Sequence, residues 1–540
     1  MDVTYTPDWV SSCDAGSCQC MFPEYQPSRY MVKPSTNDLN VVFVSDVHHA
    51  DPDNPLACGA IDTGSNMHTL LGFLYALEEV NENRDSKFQS SLKLGGIALD
   101  TCSNPSRIGQ DVYSLLSGEP ICGVQNGQQV VPPSSIVTYM VRNSANSIAV
   151  SSMLSPLQIT SLSMSATSVE LNDKLEHPYF LRTVPPDNIQ ALLVAQIMKK
   201  FGWDYVTVVY AENTYGISAR DTLLSLADPT NPEYCFGRTV PMSLSADLEE
   251  AKRVIDFLNQ RIGAKVVVTF VTSDQVRLLL QATTEKGLNH RFIWIGSDTW
   301  ANNDQITEGY EETAAGALTI QIKSEFSNGF KDFVKSLNFT NRKGIPDDWF
   351  EEFYQTVHQC RILSSVVQKT YTTICTGDEL FTDDMIPNDP FVLHTIIGVY
   401  QIANGLNGIQ QCGQSTSIGL ASCLSTLPDR KNTIYESVLS AEHDVLPNDL
   451  GDNSFNFKFT DEGYGDIGYN IYNFHRDLTS GQYVYTKVSE ILVDMKYKFE
   501  LEYFCLNIKR QPNFVNSFAV IYCFLLEKCN TRHYFSNLVI

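Results

Sequence analysis

Apolar, β-branched runs alternate along this chain with stretches whose apolar residues recur at three and four, and that beat restricts the fold more than any other feature. VVFVSDV (41–47), LKLGGIALD (92–100), SIVTYMV (135–141) and ITSLSM (159–164) read as strands, with helix-like stretches at 66–81 and 107–117 between them. A second series follows: strand 205–211, helix 216–227, a strand near 236–242, helix 247–262, strand 265–271, helix 273–286 and strand 292–298. Strand then helix, repeated, means mostly parallel sheets with helices on both faces. Two such series in 540 residues predict two α/β lobes, because one hydrophobic core rarely serves so long a chain. Further helices are expected at 187–201, 345–358 and 390–407, while the segment after 500 fits neither lobe.

A formal charge of −24 argues against nucleic acid and anionic membrane surfaces, which both reward clustered Lys and Arg. Small molecules or proteins are the expected partners. Fourteen cysteines suit disulfides in an oxidising compartment, and Asn338-Phe339-Thr340 is a glycosylation acceptor that agrees with it. Against this, MDVTYTPDWV lacks the charged-then-apolar layout of a signal peptide. No run reaches the roughly 18 apolar residues that span a bilayer. The nearest, 514–526, carries Asn516 and Ser517, so as written the chain reads as soluble or secreted.

In open α/β sheets ligands bind beyond the carboxyl ends of the strands. Ser165 and Thr167 follow strand 159–164, Tyr215 follows strand 205–211, Asp298 closes strand 292–298, and Asp187 opens helix 187–201 after Pro185-Pro186. Hydroxyls near backbone amides suit a carboxylate, and two acids with an aromatic face suit an ammonium group. Together they outline a site for a free α-amino acid. Ser, Thr and Asp at such places also cap helices and make turns, so spacing alone leaves both readings open.

YFLRTVPPDNIQALLVAQIMKKFGWDYVTVVYAENTYG, MSATSVELNDK, FIWIGSDTWA, HQCRILSS and ICTGDEL closely resemble the ligand-binding ectodomain of metabotropic glutamate receptors and other class C G-protein-coupled receptors, from about 38 to about 490. The resemblance implies a two-lobed clamshell of the type 1 periplasmic-binding-protein kind. Its expected division is a cysteine-containing stub (1–37), one lobe from 38–185 plus 323–460, a second from 186–322 plus 461–495, and an irregular tail (496–540). The family's cysteine-rich and seven-helix membrane domains are not recognisable in the sequence. A G protein would be a partner only through such a membrane domain, at the extracellular face of the plasma membrane.

Carried across by resemblance, Ser165 and Thr167 hold the ligand's α-carboxylate and α-amino groups, and Asp187, Tyr215 and Asp298 anchor or cover the ammonium. A further carboxylate contact in the NSANSIAV loop aligns with Asn146, with Ser144 and Ser147 close enough to substitute. The basic residues that grip glutamate's distal carboxylate in the family align with Thr69, Phe391 and Asn303. Burying that carboxylate unpaired costs several kcal/mol. The expected ligand is therefore an α-amino acid with an apolar, uncharged or basic side chain, and not glutamate.

The resemblance also pairs Cys58 with Cys102, Cys360 with Cys375, and Cys412 with Cys423, and makes Cys122 the link of a disulfide-bonded homodimer. Cys235 aligns with the cysteine that reaches the missing cysteine-rich domain. Cys13, Cys18 and Cys20 lack an evident fourth zinc ligand.

Two short motifs invite enzymes. Asp46 and His48 end a strand as metallophosphoesterase ligands do, but the later Gly-Asn-His loop is missing. One Asp-Thr-Gly, at 62–64, falls short of the two that an aspartic protease needs. No phosphate loop, Gly-x-Ser-x-Gly elbow or His-Glu-x-x-His occurs, so no catalytic residue, metal or cofactor is expected. Two functions stay open: an amino-acid-sensing receptor ectodomain, or a soluble amino-acid-binding protein or ligand-free dimerisation scaffold.

Overall fold

The computed structural model describes residues 39–51, 53–54, 57–82, 92–117, 133–227, 235–236, 239–260, 263–365, 367, 369–410, 412 and 420–491, with strand segments at 29–32, 503–508 and 520–525. Its first sheet has six strands in the order 29–32, 94–100, 39–45, 136–141, 161–163 and 180–182. All run parallel except the edge strand 29–32. Strands 39–45, 94–100 and 136–141 are buried at every position. Parallel strands covered on both faces must be apolar on both sides, which is why these segments read as continuous hydrophobic runs. Helix α1 (Ser65–Glu82) covers one face, where Phe73 stacks on Phe43 with ring centroids 4.8 Å apart. Helices α2 (Pro105–Ser117) and α3 (Ser144–Leu154) cover the other, through Val112, Leu115, Val150 and Leu154.

The second sheet is built on strand 205–211, which pairs with 235–236 and 240–242 on one side and with 266–270 on the other. It continues through 293–296 and 318–322 in parallel, and ends with 469–476 and 483–491 in antiparallel sense. Helices α4 (Asp187–Phe201) and α5 (Thr214–Ser225) pack on one face. On the other lie α6 (Leu248–Asn259) and α7 (Ser273–Glu285), bringing Val254, Ile255, Leu279 and Leu280 against Val267 and Trp294. The molecule is thus a two-lobed α/β clamshell. The chain leaves the first sheet after Arg182, and the returning segment crosses beside it: Arg182 N–H donates to Gly463 O at 3.0 Å and Gly465 N–H to Arg182 O at 2.8 Å.

The expected elements fall within a few residues of their predicted positions, the structure adds others such as the helices 328–335 and 430–440, and two differences bear on the site. NSANSIAV, read as a loop, opens α3: Asn143 at φ 58° accepts the Asn146 N–H at 2.9 Å and so caps the helix. The closing strands 318–322, 469–476 and 483–491 were not anticipated, because they carry Asn, Gln, His and Lys among their apolar residues. Disulfides join Cys58–Cys102, Cys360–Cys375 and Cys412–Cys423. Within the expected tail, strands 503–508 and 520–525 pair antiparallel. Cys13, Cys18, Cys20 and Cys122 lie outside the described residues, and the described part of Cys235 is its backbone. Asn338 sits in a turn where its Oδ1 accepts the Thr340 N–H and hydroxyl at 2.9 and 2.7 Å. Among the described residues no helix is long and apolar enough to cross a membrane.

Candidate ligand-binding site

The carboxyl ends of the two sheets bring together residues from distant parts of the chain. Ser163, which ends strand 161–163, donates to Val141 O at 2.6 Å and accepts the Ala166 N–H at 3.0 Å. This turns the chain out of the sheet at the MSATS segment. Arg182 then fixes the segment from beneath, donating to Ala166 O at 3.2 Å and Ser168 O at 2.9 Å. The guanidinium is fully buried, and burial lowers its pKa to about 10.

Ser165 and Thr167 diverge in role. Ser165 Oγ accepts the Asn143 N–H at 3.1 Å, so it joins the segment that leads into α3. Thr167 lies against Asp187, whose N–H donates to Thr167 O at 2.7 Å. Asp187 starts α4, where a carboxylate is favoured by the helix dipole. The Ser218 hydroxyl donates to Asp187 Oδ2 at 2.8 Å and accepts the Val169 N–H at 3.1 Å. One α5 side chain therefore ties the second sheet's helices to the MSATS side of the first. Gly216 makes this turn possible, because a Cβ there would come within 2.3 Å of Ala211 O.

Tyr215 donates its hydroxyl to Asp298 Oδ1 at 2.8 Å. Asp187 and Asp298 are 1% and 2% exposed; the Asp298 charge acts on Asp187, and both charges act on the Tyr215 phenol. Burial drives Asp187 up to about 7, the Thr167 and Ser218 hydroxyls and Arg182 opposing and Asp298 reinforcing the rise. Asp298 is raised for the same first reason, and burial followed by the Asp298 charge pushes the Tyr215 phenol well up. Thr167 Oγ1, Asp187 Oδ1, the Gln190 amide group and the Tyr469 hydroxyl are buried and lie near enough to interact with one another or with Asp298, yet complete no hydrogen bond of good geometry among the described residues. Buried polar atoms are ordinarily paired, so this group fits a cationic, multiply donating ligand. Gln190 and Tyr469 were missed by sequence reasoning. Gln190 lies one helical turn beyond Asp187, a spacing that could have found it, whereas Tyr469 arrives on a strand with no such signal.

The remaining expected contacts behave differently. Asn146 turns to Asp46, donating Nδ2 to Oδ1 at 3.0 Å, while Ser144 Oγ accepts the Ser168 N–H at 3.3 Å and Ser147 Oγ donates to Val141 O at 3.4 Å. All three serve the local structure of α3. Thr69 is fully buried and donates to Asn66 O at 2.8 Å. Phe391, in the helix 390–407, lies under Arg142, whose guanidinium carbon is 6.0 Å from the ring centroid. Asn303 caps the short helix 304–307, its Oδ1 accepting the Gln305 N–H at 3.0 Å. Its neighbour Asn302 makes the crossing, accepting from Asn388 Nδ2 at 3.1 Å.

The Asp46 and His48 pair separates. Asp46 accepts from Thr101, Asn143 and Asn146. His48 Nδ1 meets Asp100 Oδ2 at 2.5 Å, and its Nε2 faces Glu352 at 3.4 Å. Among the described residues one group of metal-ligating types converges, Cys58, Asp100 and Cys102, and its sulfurs are joined in the disulfide.

A family model described as receptor family ligand binding region matches residues 68–477. The chain belongs to that family. This receptor ligand-binding region is 27% identical over 441 residues to metabotropic glutamate receptor 6 of Oryctolagus cuniculus, covering 77% of the chain and 50% of the relative. Metabotropic glutamate receptor 6 of Rattus norvegicus is 29% identical over 372 residues, 66% of this chain and 42% of the relative. The chain thus spans about half the length of the curated relatives it matches. With its two-lobed fold, it is a ligand-binding domain of the class C G-protein-coupled receptor, metabotropic-glutamate-receptor-like kind.

Proposed function

We propose that this domain senses an α-amino acid other than glutamate, closing its two lobes on the ligand at the extracellular face of the plasma membrane. The carrying observation is the buried carboxylate pair Asp187 and Asp298, with Tyr215 donating to Asp298 and no protein cation hydrogen-bonded to either carboxylate among the described residues. An α-ammonium group supplies that cation, and Ser165 with the amides around Asn143 takes the α-carboxylate. Thr69 and Phe391 themselves offer a distal carboxylate no charge, and the Arg142 guanidinium over Phe391 is engaged with Ser65 and acts on Asp389, which supports the exclusion of glutamate. A disulfide through Cys122 would join two protomers, and signalling to a G protein would run through a membrane domain of the whole receptor. The lobes already meet directly through Ser218 and Val169, which favours the ligand-free scaffold as the competing reading.

A thermal-shift screen against the twenty amino acids separates the two. A neutral or basic amino acid is expected to raise the midpoint of the wild type and to lose that effect in Asp298→Ala. A shift from glutamate would overturn the excluded-carboxylate argument, and no shift from any amino acid would leave the scaffold.

A further inference from the structure

We propose that Arg142 is the residue that sets ligand specificity, filling the distal end of the cleft with a cation already shared among protein carboxylates so that only a small, uncharged amino-acid side chain is accepted. This rests on the amino-acid-binding reading above and narrows it. Arg142 directly follows strand 136–141 and precedes Asn143, whose N–H meets Ser165, so its backbone lies beside the segment assigned to the ligand's α-carboxylate. Its side chain reaches the other way, over the Phe391 ring, and donates from Nη2 to Ser65 Oγ at 2.5 Å. Ser65 in turn donates to Asp389, which caps the helix bearing Phe391 by accepting the Phe391 N–H at 2.9 Å. One guanidinium therefore links the starts of α1 and of helix 390–407, the two elements that carry Thr69 and Phe391.

The surrounding charges explain why neither sign of ligand side chain fits. Arg142 acts electrostatically on Asp46, Asp62 and Asp389, and Asp274 of α7 acts on Asp62 from the opposite lobe. His49 also acts on Asp62. An acidic side chain entering here meets carboxylates whose cation is already shared. A basic one meets Arg142 itself across the Phe391 face. Like charges brought together without water disfavour binding strongly, and rejection of this kind sets specificity as effectively as attraction does. Sequence reasoning looked for a cation at Thr69, Phe391 and Asn303 and found none. The structure brings one from a fourth place, already committed to protein carboxylates.

Titration calorimetry on the full chain tests this with alanine, serine, leucine, lysine, arginine and glutamate as probes. The wild type is expected to bind alanine or serine roughly tenfold or more tightly than lysine, arginine or glutamate. In Arg142→Ala, lysine and arginine are expected to gain about tenfold relative to alanine, their cation replacing the lost guanidinium, while glutamate gains nothing. Arg142→Lys keeps the charge with less reach over Phe391, and is expected to admit leucine while still rejecting glutamate; it serves if the alanine variant does not fold. A wild type that prefers glutamate, or an order of ligands that neither variant changes, overturns the proposal. If Asp298-dependent binding persists with that unchanged order, this inference fails alone. If no amino acid binds the wild type, the functional reading has failed and this one with it.

Discussion

Asp187 titrates near neutrality because burial outweighs the hydroxyls and the guanidinium that favour its charged form. An ammonium ligand binds the deprotonated carboxylate, so below about 7 binding must first expel a proton. Affinity for the amino acid is therefore expected to fall by up to about tenfold per pH unit below that value and to level off above it. Asp187→Asn should flatten the profile between pH 5 and pH 8 and weaken binding throughout, by roughly 2–3 kcal/mol for a lost buried charge partner. A pH-independent wild type measured by calorimetry would count against this role. Asp187, Tyr215 and Asp298 were legible because each follows a proline pair or a strand end. Tyr469 and Arg142 were not, because a tyrosine in a strand and an arginine after one are ordinary until the fold shows what they face.

Beyond single residues, the hairpin formed by 48–50 and 58–61 is pinned at both ends. Cys58–Cys102 ties it to the end of strand 94–100, and His48 ties it to Asp100 and to Glu352 of helix 347–358, which Lys369 also meets at 2.9 Å. Burial would lower the His48 pKa, but hydrogen bonds to Asp100 and Glu352 override it and raise the value from 6.5 to about 9. The stabilisation is thus complete below about 6.5 and is lost as pH rises through about 9. An upper bound is about 3 kcal/mol. His48→Gln is expected to cost about 2 kcal/mol at pH 7 and to remove the decline in thermal midpoint between pH 7 and pH 10. An unchanged decline in the variant would place its source elsewhere. The same geometry explains why Asp46 and His48 mimic a metal motif in sequence. Residues two apart share a face of a strand, but the regular strand ends at Ser45, and the two side chains part.

At the scale of the whole molecule, Ser218, Val169, Asn302 and Asn388 already join the two lobes. A ligand that spans the cleft must add to these contacts, and moving the closed form from 1:99 to 99:1 takes about 5.5 kcal/mol of differential affinity. Small-angle scattering is expected to show a smaller radius of gyration when the stabilising amino acid is added, and none of that change in Asp298→Ala. Compaction without ligand in the wild type, unchanged by any amino acid, would support the scaffold. The sequence by itself determined the alternation of strands and helices, the two lobes, and the strand-end acids and hydroxyls. Each of these is written in local periodicity or in a residue's place next to a turn. Only the tertiary structure decided that Asn146 serves Asp46, that Asn302 and not Asn303 crosses the cleft, and that Arg142 reaches Phe391. Those outcomes depend on which strand ends and helix starts converge in space, and neither spacing nor residue type records that.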